Sequence, residues 1–418
     1  MKLASESSVR KAVAREVKRV AVVDMHTHLY EPRFKELLLW GIDELVTYHY
    51  LVAELFRARP DLPPAAFWKL SKRKQADLIW GALFVERAPV SEACRGVVTC
   101  LKQMGIRPGP RALERARRFC AGQGAEGYVD LVFKLAGVSH AVMTNNPFDD
   151  EERPLWAKGG RRDGRFIPAL RIDNLLRAWP AAARKLRSWG YKVKAGARGP
   201  DARAAREVRR FLSDWTAKMK PAYMAASLPP EFDYPLRDAA SAVLDRCLLP
   251  FAAENELPLA LMIGARLGVN PQLRLAGDGV GRSRVEAVEE LCRRWPGVRF
   301  LITLLARENQ HQLCVSARKF ANMMPFGCWW FLNDPSIIEM MTAQRLELLG
   351  TSVVPQHSDA RVLDQLIYKW KHSREVIGVV LADKFADLFK AGWPVTAAEI
   401  RREVERLFSG NFLEFVGR

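Results

Sequence analysis

Short apolar runs alternate with helical stretches along most of this chain, and that alternation constrains its fold more than any other feature. Val20 to Asp24 is the first run, rich in β-branched residues. Ala136 to Thr144, Arg165 to Leu170, Lys220 to Ser227, Leu257 to Gly264, Val298 to Leu305, a segment within Phe320 to Phe331, and Gly350 to Gln356 bring the strand candidates to eight. Helical spacing lies between several of them, at Ala181 to Trp189, Ala202 to Ala217, Ala239 to Glu254 and Arg284 to Trp295. Further helices are expected at Ala360 to Phe389 and Ala397 to Phe408, after the last run. Strands that alternate with helices pair in parallel, and eight of them close into a barrel. The expectation is therefore an α/β chain with a (β/α)8 TIM-like barrel. An open, doubly wound sheet would want a GxGxxG phosphate loop after the first strand, and none stands there. Phe34 to Gly122 is helical in pattern, broken by Pro60, Pro63 and Pro64 and again from Gly105 to Pro110. Its apolar content is too high for a disordered linker. One domain spanning 1–418, with a helical insertion over 34–122 after the first strand, follows.

Composition narrows the class. At 418 residues and 49% hydrophobic, the chain can bury a large core. No apolar run approaches the ~18 residues of a membrane span, and no signal-like stretch precedes Val22. Lys and Arg exceed Asp and Glu by 65 to 47, a net charge of +18. Such charge suits nucleic acid, acidic lipid or small anionic substrates. It is spread along the chain without a zinc-finger or aromatic-interleaved RNA-binding pattern, so nucleic acid is not the expected partner. Seven scattered cysteines without a CxxC pair read as reduced thiols in the cytoplasm.

Five stretches can carry chemistry. His26 and His28, at the end of the first strand, are two residues apart and share a side of it. Two neutral imidazoles so placed suit a divalent metal such as zinc. Asp359, in Gln356-His357-Ser358-Asp359-Ala360-Arg361 after the last strand, would enter the same mouth as a metal ligand and proton acceptor. Alternatively, Asp359 or Ser358 would cap a helix starting near Arg361. Arg361 could clamp an anion with two hydrogen bonds. Trp329 and Trp330 precede Asn333 and Asp334 and could wall a pocket or simply pack in a core. Arg171 ends a strand, with an ion pair to Asp173 as the plain alternative. His49 and Tyr50 sit on the insertion's first helix, where a phenol could act as an acid or the aromatic rings could only pack.

Taken in order, these stretches resemble the uronate isomerase family of the amidohydrolase superfamily. Asp24-Met25-His26-Thr27-His28-Leu29 resembles that family's first-strand metal motif. Leu39-Trp40-Gly41 and His49-Tyr50 resemble its Trp-Gly stretch and the His-Tyr that follows. Met143-Thr144-Asn145-Asn146-Pro147-Phe148-Asp149-Asp150 is similar to its Thr-Asp-Asp-Pro-x-Asp-Asp block. Pro168 to Asp173, Trp329 to Asp334 and Ser358 to Arg361 resemble its Pro-x-x-Arg-Pro-Asp, Trp-Trp-Phe-Asn-Asp and Thr-Asp-Ser-Arg. The resemblance implies an amidohydrolase-type barrel that interconverts aldose and ketose forms of hexuronates. It implies metal binding at His26, His28 and Asp359, catalysis by Asp359, Tyr50 and Arg361, and substrate contacts from His49, Arg171, Trp329, Trp330 and Arg361. The expected partner is a sugar acid and the expected cofactor zinc. A homo-oligomer is compatible with this reading.

Two departures stand out. Leu261-Met262-Ile263-Gly264-Ala265 has Met262 where the family's fifth strand carries a histidine, and a thioether is a poor zinc ligand. The Cys-Arg-x-Ser-Asp-His segment expected on the fourth strand is missing from Lys220 to Phe232. The same site could instead hydrolyse or decarboxylate a small carboxylate, with metal-activated water and Asp359 as base. A non-catalytic barrel that binds an anion or nucleic acid is the third reading.

Overall fold

Continuous runs of apolar and β-branched residues, buried on both faces, build the strands of this protein, as a parallel sheet covered by helices requires. The computed structural model describes residues 2–160, 162–196 and 198–418. Its strands are β1 (Val22–Thr27), β2 (Val138–Asn145), β3 (Phe166–Arg171), β4 (Met224–Leu228), β5 (Leu259–Ile263), β6 (Ala265–Arg266), β7 (Gly279–Val280), β8 (Phe300–Leu304) and β9 (Met323–Pro325). Seven of them form one curled parallel sheet in the order β1-β2-β3-β4-β5-β8-β9, while β6 and β7 make a small antiparallel pair. Each expected strand up to the seventh overlaps a strand of this sheet.

The last expected strand does not form as a regular one. Around Gly350 to Gln356 there is only a single parallel bridge, between Phe326 and Val354. Polar side chains take the place of a ladder. Pro355 has no backbone donor. Gln356 Oε1 accepts the backbone N–H of Cys328 and of His357 at 2.8 and 3.0 Å. The segment nevertheless reaches β1, because Asp359 N donates to the His26 carbonyl at 3.2 Å and His28 N to the Ala360 carbonyl at 2.7 Å. The irregular stretch from Val354 to Ala360 thus connects β9 to β1.

Val23, Met25, Ala169, Ala225, Ala260, Met262, Leu301 and Phe326 pack together inside the curl. Residues alternate along each strand, so Leu259, Leu261, Ile263, Phe300 and Ile302 face a second layer formed by surrounding helices. Met262 belongs to the inner group. Between residues 34 and 122 the chain is helical, including His49–Ala58, Lys72–Trp80, Glu92–Gln103 and Ala112–Ala121. These helices share a core with the helices Glu6–Arg19 and Gln365–Lys390. Among the described residues no helix is long and apolar enough to cross a membrane.

Candidate metal centre and substrate pocket

β1 carries His26 and is followed at once by His28, and the sheet brings both beside Asp359. One ligand atom from each of His26, His28 and Asp359 lies within 4.8 Å of the others. The imidazoles meet edge to face, with ring centroids 5.5 Å apart. Asp359 sits at φ 52°, a left-handed conformation that aspartate tolerates better than most residues. The helix-cap alternative for Asp359 and Ser358 fails, because the helix that follows begins at Gln365.

Hydrogen-bond partners assign the tautomers of both histidines. Tyr223 Oη donates to the Met25 carbonyl at 2.6 Å. It therefore accepts from His26 Nδ1–H at 3.1 Å. Thr144 Oγ1 donates to the Thr27 carbonyl at 2.9 Å and so accepts from His28 Nδ1–H at 3.0 Å. Each imidazole is left with a bare Nε2 lone pair. His26 Nε2 is buried without a hydrogen-bond partner, and so is Asp359 Oδ1. His28 Nε2 lies 3.3 Å from Asp359 Oδ1. Lone pairs turned on one another in a buried site repel unless a cation lies among them. Burial pushes the His26 pKa down to about 3 and that of His28 well below its usual value, so both rings are neutral. Two neutral imidazoles and a carboxylate, each fixed by a second hydrogen bond or by its backbone, fit a divalent cation.

A cavity of about 190 Å³ opens from this cluster. His28, Asp359, His49, Arg171, Arg361, Trp329 and Trp330 all line it. The structure thus gathers every site residue expected from the sequence around one opening, with two exceptions in detail. His26 lies beneath the wall, fully enclosed. Tyr50 faces an adjoining smaller cavity with Trp330, and its hydroxyl donates to the Trp330 carbonyl at 3.4 Å.

Among the described residues the Arg361 guanidinium has no ion-pair partner, which leaves it free to grip an anion. Arg171 is already engaged, its Nε and Nη2 each 2.9 Å from Asp173, and Asp173 in turn accepts the Ser227 N–H. That ion pair is the plain alternative for Arg171, yet it forms in the pocket wall and leaves Arg171 facing the cavity. His49 packs against Trp330 at 5.6 Å, and neither of its ring nitrogens has a partner. Burial pushes its pKa down to about 3, so it is a neutral hydrogen-bonding group.

Several contributors were missed in the sequence. Tyr48 lines the cavity, and burial raises its pKa as it does that of Tyr50. Its adjacency to His49 was the available signal. Ser227, Leu267, Leu275 and Asp278 also line the cavity. The last three come from the excursion between β5 and β8, whose far end is tied to the insertion where Trp68 Nε1 donates to the Gln272 carbonyl at 2.9 Å. Tyr223 and Thr144, which set the tautomers, stand on or beside strands read only as apolar. His357 meets His26 edge to face, ring centroids 5.5 Å apart, without a hydrogen bond on either nitrogen.

Comparison with protein-family profiles and with curated proteins gives no match. Solved structures do match. The chain superposes on a uronate isomerase from Thermotoga maritima with a TM-score of 0.78, at 14% identity over 99% of both chains. With a glucuronate isomerase from Caulobacter crescentus the TM-score is 0.70, at 14% identity over 99% of this chain and 94% of that one. At that identity these two show a common fold. A uronate isomerase from Bacillus halodurans C-125 is 52% identical over 100% of this chain and 98% of that chain, with a TM-score of 0.97. Identity of that order along the whole length settles the relationship, and the chain belongs to the uronate isomerase family.

Proposed function

We propose that this protein interconverts the aldose and ketose forms of a hexuronate, D-glucuronate with D-fructuronate or D-galacturonate with D-tagaturonate. The observation that carries the reading is a bare-lone-pair cluster of His26, His28 and Asp359 opening into the same cavity as the unpaired Arg361. An open-chain hexuronate has two ends to hold, a carboxylate and a reacting C1–C2 unit. Arg361 takes the carboxylate, a pairing in which a guanidinium forms two parallel hydrogen bonds. His49, neutral and unpartnered, holds a hydroxyl. Trp329 and Trp330 wall the sugar chain.

The reaction moves one proton from C2 to C1 and another from the C2 hydroxyl to the C1 oxygen, as the carbonyl shifts from C1 to C2. Asp359 removes the C2 proton, and the same carboxyl group is placed to return one to C1. Negative charge that develops on the oxygens along the way needs donors that are not themselves ionised. Burial keeps the Tyr48 and Tyr50 phenols protonated, so they serve as donors. Arg171, held in a fixed orientation by Asp173, presents its guanidinium to the cavity for a further contact with the substrate. His26, His28 and Asp359 would hold a divalent cation, for which zinc suits the two-nitrogen, one-oxygen donor set. When bound, such a cation supplies Lewis acidity next to the reacting carbonyl. The seven cysteines are all unpaired, which fits a protein that works in the reducing cytoplasm.

Asp359→Asn tests the proposal. It keeps the size of the side chain but removes the base. Ketose formation from the favoured uronate, followed in a coupled assay, should fall by about 10²–10⁴-fold while the circular dichroism spectrum is unchanged. Wild-type turnover in that variant would place the base elsewhere.

A further inference from the structure

The carboxylate of Asp359 stands at the end of an irregular segment, and the two peptide groups that meet at Ser358 are both gripped. The Ser358 N–H donates to Asp24 Oδ1 at 3.1 Å. The Ser358 carbonyl accepts from Lys369 Nζ at 2.7 Å and from Asn333 Nδ2 at 3.1 Å. Trp370, the next residue of the helix Gln365–Lys390, donates its Nε1–H to the other oxygen of Asp24 at 2.8 Å. Two consecutive helical residues thus hold the two peptides flanking Ser358, Lys369 directly the one that precedes Asp359 and Trp370, through Asp24, the one before it. The Lys369 ammonium also lies 5.4 Å from the Tyr50 ring centroid. It therefore joins the Asp359 segment to the helix that carries Tyr50.

Lys369 is only 3% exposed. Among the described residues no carboxylate lies within ion-pair distance of it. A buried ammonium satisfied by one carbonyl and a ring is costly, and an apolar side chain of similar length would fill the space at lower cost. Stability alone does not account for a lysine here. Backbone strain that persists at a functional site is held by its surroundings. Asp359 is such a residue, at φ 52°.

We propose that Lys369 is a positioning residue, which through the Ser358 carbonyl holds Asp359 in the orientation that lets its carboxylate face His28 and the pocket. The catalytic consequence rests on the isomerase reading given above; the consequence for cation binding does not. Neither requires Lys369 to touch substrate.

The test compares wild type with Lys369→Met, Lys369→Arg and, as a control, Lys371→Met, an exposed neighbour paired with Glu375. Three quantities are read for each: zinc affinity by competition with a chromophoric chelator, kcat and KM for the turned-over uronate, and Tm. Lys369→Met should bind zinc about tenfold more weakly and lose about 10–100-fold in kcat, as loss of outer-layer support does elsewhere. KM should stay within about twofold, because Arg361 and His49 still hold the substrate. Its Tm should equal or exceed that of wild type. Lys369→Arg should recover part of both losses, and Lys371→Met should match wild type. Wild-type zinc affinity in Lys369→Met would overturn the proposal. So would losses that accompany a lowered Tm or a failure to fold, since those assign the lysine to stability. A wild type that turns over no uronate would sink the isomerase reading, and zinc affinity together with Tm would still decide the role of Lys369.

Discussion

At the scale of single residues, close contacts rather than residue type decide what each group can do. Gly327 illustrates this at the turn after β9. It sits at φ 62°, and a Cβ there would meet His357 Nδ1 at 1.7 Å. His357 is fully enclosed and packs against both His26 and Phe326, so it has nowhere to retreat. Gly327→Ala should destabilise the protein by about 2–4 kcal/mol, from backbone strain and overpacking together. Chemical denaturation would show it as a lowered midpoint with an unchanged slope. An unshifted midpoint would mean that the Gly327 turn moves freely. The cluster of His26, His28 and Asp359 was legible because residues that can hold a metal are of few types and these stand at strand ends, the two histidines two residues apart. The sequence could not disclose Tyr223, Thr144 or Lys369. Tyr223 meets His26 across 197 residues of chain and Thr144 meets His28 across 116. Nothing local in their sequence marks them as partners.

At the scale of elements, apolar patterning located the strands because parallel strands are buried on both faces and read as uninterrupted runs. Gly350 to Gln356 broke the rule. Its apolar residues are buried, but Pro355 and the side chains of Gln356 and Asp24 take over the backbone pairing. Such substitutions of side chain for ladder depend on residues far away and leave no periodic trace. The helix read as continuous from Ala239 to Glu254 is likewise interrupted by a wider turn at Leu244–Leu248. No element was expected between Gly264 and Arg284, where the excursion carries β6 and β7. Two-residue strands are below what alternation can detect, yet this excursion supplies Leu267, Leu275 and Asp278 to the pocket wall. Met262 is the converse case. Its identity as a departure from the family was plain in the sequence, but only the packing shows that it lies with Met25, Ala260 and Tyr223 in the inner core.

At the scale of the whole molecule, burial of many titratable groups links stability to pH. His26, His28, His49 and His357 all have pKa values pushed down by desolvation. In the unfolded chain each returns to about 6.5. Their contribution is therefore fully present above pH 6.5 and is lost as pH falls below it, because the unfolded state takes up protons that the folded state refuses. Asp24, Glu152 and Asp364 act in the opposite sense, their pKa values raised by burial, that of Asp24 to about 6, but they are three groups against four. In chelator-treated protein, Tm measured by calorimetry should decline steadily from pH 6.5 to 4.5. A Tm independent of pH over that interval would mean that the buried histidines take up protons in the folded state.

All of these properties serve one claim, that the cavity beside His26, His28 and Asp359 exchanges protons between C1 and C2 of a hexuronate. The most direct test is proton NMR of D-glucuronate and of D-galacturonate with the zinc-supplemented protein in deuterated buffer. Loss of the C2 proton signal together with growth of the ketose is expected from at least one of the two sugars. Zinc-loaded protein that produced neither ketose nor exchange at C2 would contradict that claim, and would direct the search to hydrolysis or decarboxylation at the same site.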